Sequence, residues 1–349
     1  MKKGLLVTLL SVTAMGTTLI AGCASNASTN NNTATESQAS DSQVSYPYTI
    51  KHAYGTTTLN SEPKKIVTLG WGNQDTALAL GIAPVGVSAA NFGYMTDHKL
   101  HEWTDQAFAS LGVNNPNVFN DTDGFDYEAI SDAAPDVIIA SYSGMTKDEY
   151  DRLSQIAPVV PFAEAAWKTS WREQTILNAE GMGKKAEGEK LVNEADNLIK
   201  EKIANHPELK GIKAGFFYIS PDDFSTFYAY LPADPRASYL QDLGLELPES
   251  ISKLAQATPD AFSVTISREN TADFSDVDLM VLYGDESLLK ALQADPLMSK
   301  IPAIKNGAVV LLDSNSKLAA STTPTILSIP ATIDEYLTQL SAAASKVGK

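Results

Sequence analysis

Four copies of Ser-x-x-Lys, at Ser61/Lys64, Ser250/Lys253, Ser287/Lys290 and Ser314/Lys317, are the first residues in this chain whose spacing suggests covalent chemistry. In penicillin-recognising acyl enzymes that spacing sets a hydroxyl beside an amine, but it works with Ser-Asp-Asn and Lys-Thr-Gly companions, and neither occurs here. Gly-x-Ser-x-Gly and the phosphate loop Gly-x₄-Gly-Lys-Ser/Thr are also missing, so the chain is not expected to be an enzyme. Metal chemistry fares no better. Of the four histidines, His98 and His101 are close enough to share a helix face as a surface pair, while His52 and His206 stand far off in sequence. Asp121-Thr122-Asp123-Gly124-Phe125-Asp126 places Gly fourth and Asp132 twelfth, where a calcium loop needs Gly sixth and Glu twelfth, and it reads as a turn. What remains is binding chemistry: Trp71, Phe92, Tyr94, Tyr142, Trp167 and Trp171 in the first half, Tyr218, Phe224, Tyr228, Tyr230 and Tyr283 in the second, and Arg236 just after Asp234-Pro235. Rings supply wide contact area and a guanidinium supplies a planar fork of donors.

Such side chains need a scaffold to hold them, and its first segment is an address label. Lys2 and Lys3 precede an apolar stretch from Gly4 to Ile20, broken by Ser11, Thr13, Thr17 and Thr18, which marks a signal peptide over residues 1–22 rather than a spanning helix. Leu19-Ile20-Ala21-Gly22-Cys23 is similar to a bacterial lipobox, in which the cysteine carries lipid and becomes the new N-terminus. Cys23 is the only cysteine among 349 residues, so no disulfide within the chain supports the fold. Two acyl chains suffice to hold a protein on the outer side of a membrane without protein contact to lipid. Cleavage before Cys23 leaves 327 residues, and loss of Lys2 and Lys3 takes the formal charge from −16 to −18. A body so acidic is not expected to bind nucleic acid or anionic headgroups. Residues 23–45, rich in Ala, Ser, Thr, Asn and Gln, form a tether that cannot repay the entropy of ordering.

From Tyr46 onward short apolar runs alternate with amphipathic stretches, the grammar of an α/β chain. Strands are expected at 65–69, 85–87 and 137–140, and helices at 76–80 and 126–134. Thr146 with Glu149 and Ser170 with Glu173 are capping boxes that start two more helices. After Gly181 and Gly183, residues 186–205 are strong helix formers halted by Pro207, giving a helix about 30 Å long that can bridge two lobes. The second half then echoes the first. Leu80-Gly81-Ile82-Ala83-Pro84 returns as Leu243-Gly244-Leu245-Glu246-Leu247-Pro248, and Glu128 with the run into Tyr142 returns as Glu269 with the run into Tyr283. In both copies a strand leads into a tyrosine-bearing loop, where a doubly wound sheet holds its ligand.

The order of phrases along the chain resembles the iron-siderophore substrate-binding lipoproteins of ABC importers. It is carried by Gly55-Thr56-Thr57-Thr58-Leu59 before Pro63-Lys64-Lys65-Ile66-Val67, by Trp71-Gly72-Asn73-Gln74-Asp75, by Ala134-Pro135-Asp136-Val137-Ile138, by Thr169-Ser170-Trp171-Arg172-Glu173-Gln174 and by Ser267-Arg268-Glu269. The resemblance implies two Rossmann-like α/β lobes, residues 46–183 and 210–349, joined by one interlobe helix within 184–209, with a ligand cleft between them. It implies a monomer that captures an Fe(III)-siderophore complex, binds no metal or cofactor directly and works with an ABC permease; haem or cobalamin binding and a surface adhesin are the alternatives. The expected ligand-binding set is Trp71, Asn73, Phe92, Tyr94, Tyr142, Trp171, Tyr218, Tyr228, Arg236, Tyr283 and Lys317. Arg236 is expected to face anionic oxygens of the chelate, and Glu128 and Glu269, one per lobe, are expected to dock on the permease.

Overall fold

Ile66, Val67 and Thr68 all branch at Cβ, and they form the central strand of the first sheet because such side chains pack well on a pleated, doubly covered surface. A computed structural model describes residues 44–121 and 123–348. Its first half runs β1 (Tyr48–His52), β2 (Gly55–Leu59), β3 (Ile66–Thr68), α1 (Asn73–Ala79), β4 (Gly86–Ser88), α2 (Glu102–Ser110) and β5 (Val118–Phe119). It continues through α3 (Tyr127–Asp132), β6 (Val137–Ala140), α4 (Lys147–Leu153) and β7 (Val159–Pro161). Strands β3 to β7 make an all-parallel sheet in the order β5-β4-β3-β6-β7. Every residue of β3, β4, β6 and β7 is buried, as helices on both faces of a parallel sheet require. The β1–β2 hairpin shields the edge at β7, where the Thr57 hydroxyl donates to the Val159 carbonyl and the Ala53 amide to that of Phe162 at 3.1 Å.

Both capping boxes form. Thr146 and Glu149 start α4, and Ser170 and Glu173 start α5 (Trp171–Gly181). The turn at Gly183, with φ +71°, leads into α6 (Lys185–Ile203), close to the span expected from sequence. Gly188, Val192, Ala195 and Ile199 line the buried face of α6 at helical spacing. Gly188 lets α6 lie against α5, since a Cβ there would stand 2.4 Å from that of Ala179.

The second half comprises β8 (Ala214–Ile219), β9 (Thr226–Tyr230), α7 (Pro235–Asp242), α8 (Glu249–Ala257), β10 (Ser263–Ser267) and β11 (Leu279–Tyr283). It ends with α9 (Glu286–Ala294), α10 (Pro302–Asn306), β12 (Val309–Leu312), α11 (Lys317–Ser321) and α12 (Ser328–Ala344). Its sheet has the order β10-β9-β8-β11-β12, the same arrangement of first to fifth strand as in the first half. One strand differs in direction: β9 is antiparallel to both neighbours. Residues 220–225 are too few for a crossover, so β8 must turn back as a hairpin. The echo between halves is therefore a shared sheet order with one reversal.

One face of the second sheet, with Phe216 and Val281, packs on α6, α7 and α12, and Trp171 from α5 joins that core. The other face, with Phe217, Phe227 and Leu282, packs on α8, α9 and α10. Residues 313–327 then lean on the first half. The Tyr94 amide donates to the Ser316 carbonyl at 3.2 Å, Lys317 pairs with Glu102 at 3.2 Å, and the Thr325 hydroxyl donates to Asp75. Gly93 permits this approach, because a Cβ there would stand 2.4 Å from that of Ala320.

Candidate ligand-binding site

The loops that leave the strands at their C-terminal ends carry the rings. After β3 the chain reads Gly70-Trp71-Gly72, both glycines with φ in the left-handed region, and a Cβ on Gly70 would collide with the Tyr142 carbonyl oxygen at 2.7 Å. That turn presents Trp71, while the loops after β4, β6 and β7 present Phe92, Tyr142 and Trp167. From the second half come Tyr283 at the end of β11, Arg236 in the first turn of α7, and Phe262 just before β10. Together these side chains enclose a cavity of about 270 Å³ between the halves. A second cavity of about 240 Å³ adjoins it within the first half, sharing Trp71 and Trp167 and including Ser88, His101, Asp121 and Glu149.

Ring contacts fix the walls. Phe92 meets Tyr283 across the cleft, centroids 5.1 Å apart and edge on, and Tyr142 meets Trp167 in the same manner at 5.2 Å. Trp167 has φ +61°, a left-handed conformation rare for a bulky residue, and strain of this sort gathers at binding sites. Burial raises the phenols of Tyr142 and Tyr283 above their ordinary range, so both remain neutral hydroxyls. Burial likewise lowers His101, partly offset by its bond to the Phe92 carbonyl at 3.0 Å, and leaves it a neutral ring.

Among the described residues, Arg236 is the one cationic side chain that lines either cavity. Asp234 caps α7 by accepting from the Arg236 amide, Pro235 opens the helix, and the same carboxylate takes Nε at 2.8 Å and Nη2 at 2.6 Å. The guanidinium also lies 4.0 Å from the centroid of Tyr230. Burial pulls its pKa down, but the Asp234 carboxylate more than offsets this and holds it above the ordinary value.

Of the residues expected from sequence, Trp71, Phe92, Tyr142, Arg236 and Tyr283 meet at the cleft. Others lie elsewhere. Asn73 is 1% exposed and sits behind the wall, donating to the carbonyls of Leu69 and Tyr142 while its Oδ1 accepts from Ser141 and Gln174, so it braces two site loops without reaching the cavity. Trp171 is 2% exposed: the first turn of α5 points its indole into the second core, where Nε1 donates to Asp242 at 2.9 Å. Tyr94 is 50% exposed and lines neither cavity. Tyr218 and Tyr228 pair across β8 and β9 on an exposed face, with centroids 5.9 Å apart, and Lys317 is engaged by Glu102. His101 is buried rather than paired with His98 on a surface, its ring lying between Trp71 and Trp103. Among the described residues no cluster of His, Cys, Asp or Glu could hold a metal ion. Phe262 and Trp167 complete the cleft. The sequence signal for Trp167 was its place just before the helix start at Ser170; Phe262 had none beyond the preceding Pro259-Asp260 turn.

Two α/β halves of like sheet order, with a ring-lined cavity between them, define a two-lobed solute-binding protein. The chain belongs to the periplasmic binding protein family, which matches residues 66–316. It is similar to the crystal structure of PiaA from Streptococcus pneumoniae in complex with ferrichrome, at 44% identity and a TM-score of 0.82, over 86% of this chain and 99% of that one. The probable siderophore-binding lipoprotein YfiY of Bacillus subtilis is 29% identical over 79% of this chain and 78% of its own length. The Fe(3+)-citrate-binding protein YfmC of the same organism is 25% identical over 89% and 90%.

Proposed function

We propose that this chain is a lipid-anchored, extracytoplasmic binding protein that captures a ferric siderophore in the cleft and delivers it to the permease of an ABC importer. The observation that carries this reading is the cavity between the halves, whose rings come from both and whose guanidinium is held in place by Asp234. A ferric chelate is a bulky body with oxygens round the metal and an organic periphery, and it matches flat apolar walls with a few oriented donors. Trp71, Phe92, Tyr142, Trp167, Phe262 and Tyr283 supply the walls in this reading, and Arg236 with the two phenols supplies the donors. The ferrichrome complex of the similar pneumococcal protein supports a chelate of that kind as the ligand.

The anchor assigned to Cys23 belongs to the same reading, and that residue lies outside the described ones. Glu128 in the first turn of α3 and Glu269 in the first turn of the 3₁₀ segment after β10 are both exposed, as contacts to a permease need. Because Trp71 and Trp167 line the cleft, their fluorescence reports occupancy. Titration with ferrichrome should quench it saturably, and the iron-free chelator should do so at least tenfold less well. Equal quenching by both forms, or none by either, rejects iron-chelate capture.

A further inference from the structure

Arg236 reaches the cleft with its charge already spent. Its Nε and Nη2 are bound by the two oxygens of Asp234, a carboxylate only 1% exposed, which leaves Nη1 as the nitrogen not committed to that carboxylate. Among the described residues, the rest of the lining adds no cation. Asp121 and Glu149 border the adjoining cavity and His101 there is a neutral ring, so three carboxylates face one guanidinium across the two cavities. Lys317 pairs with Glu102 at 3.2 Å, and Lys168 donates to the Pro259 carbonyl at 3.2 Å. Neither lines a cavity.

We propose that Asp234 is a specificity-determining residue: by occupying the fork of Arg236 it makes the cleft accept iron chelates of zero or positive net charge and refuse polyanionic ones. This rests on the reading of the cleft as a chelate site and narrows it to a ligand class. An anionic oxygen pair, from a carboxylate or catecholate arm, would ordinarily take the guanidinium bidentately. Here it must displace Asp234, and displacement would leave a buried carboxylate without its counter-charge beside a newly arrived anion. Both effects are stronger in a partly buried site than in open water. A hydroxamate or amide oxygen asks less, since a single N–H from Nη1 or a phenol serves it without opening the pair. The sequence led us to expect Arg236 as a counter-charge for anions; its partner reverses that expectation.

The test measures dissociation constants for four iron complexes of different charge: ferrichrome (neutral), ferrioxamine B (cationic), and ferric dicitrate and ferric enterobactin (both anionic). The wild type should favour ferrichrome over ferric enterobactin by at least 100-fold. Asp234→Asn keeps a good helix N-cap while freeing the guanidinium, and should narrow that ratio at least tenfold whatever happens to ferrichrome affinity itself. Should the variant not fold, salt decides on the wild type alone: raising ionic strength from 10 to 300 mM should strengthen the anionic complexes by screening repulsion and leave ferrichrome unmoved. Anionic complexes that bind as tightly as ferrichrome, weaken with salt, or keep their ratio in Asp234→Asn overturn the proposal while chelate capture stands. A protein that takes none of the four fails as a chelate receptor, and charge selection fails with it.

Discussion

Asp75 is fully buried beneath the loop that presents Trp71, and it accepts hydrogen bonds from the Trp103 indole, the Thr104 hydroxyl and, from the other half of the chain, the Thr325 hydroxyl. Burial raises its pKa from 3.8 to about 6, and the three donors only moderate that rise. The folded chain therefore holds this proton more tightly than the unfolded chain does. The stability it contributes is complete below about pH 4 and lost as pH rises through about 6, a change of roughly 3 kcal/mol from about 1.4 kcal/mol per unit. Asp75→Asn removes the titration. Unfolding free energies of both forms, measured from pH 4 to 7, should show the wild type losing about 2 to 3 kcal/mol relative to the variant across that window. A difference that stays flat, or that grows in favour of the wild type with pH, contradicts the assignment. Taking the difference matters, since Asp136, Asp276, Asp285 and Asp295 are held below their usual range and titrate with opposite sign.

At the level of elements, α5 is where sequence and structure part most clearly. Its capping box was legible, because Ser170 and Glu173 stand three apart before a helix-forming run, and local hydrogen bonding decides such a start. Which way Trp171 faces was not legible, because that depends on packing by α6 and α7, far along the chain: Arg172 bridges Asp196 and Asp242, and the indole bonds Asp242 beside it. Trp171→Ala should therefore cost about 3 to 5 kcal/mol of stability, as large-to-small changes in a core do, and leave the dissociation constant for ferrichrome within about twofold at 10 °C. Loss of affinity at unchanged melting temperature would instead return Trp171 to the cleft. The same contrast runs through the fold. Apolar runs disclosed β3 and β6, and helix formers bounded by Gly183 and Pro207 disclosed α6. The reversal of β9 and the exposed placing of Tyr218 and Tyr228 hang on a short connection and on strand parity, which no window of residues displays. For the site, Trp71, Tyr142 and Tyr283 were legible as rings in loops after strands and they line the cleft, whereas the ion pair of Asp234 with Arg236 lies within a helix cap and depends on where the side chains turn.

For the whole molecule, the symmetry of the two sheets has a use only if something reads both halves at once. Glu128 and Glu269 occupy first turns of corresponding segments, both are exposed, and no ion pair among the described residues engages either. Each interacts favourably with the positive end of its own segment by about 0.3 to 1 kcal/mol, which accounts for a carboxylate there but not for one in each half. A body of formal charge −16 repels anionic surfaces and suits a basic partner, so two carboxylates on separate lobes can act as paired contacts, whose spacing would change if the cleft closed on its ligand. A partner gains information from that spacing only if it binds closed and open forms with different affinity. Replacing both glutamates by alanine should lower stability by no more than about 1 to 2 kcal/mol and leave ferrichrome binding in solution as it was. Uptake of ⁵⁵Fe-ferrichrome by cells carrying the variant should fall about tenfold or more, since close charge pairs at interfaces couple by about 1.5 kcal/mol upward. Each single replacement should give an intermediate loss. Wild-type uptake by the double variant would show that delivery does not pass through these carboxylates, and loss of solution binding would show that they act on the cleft itself.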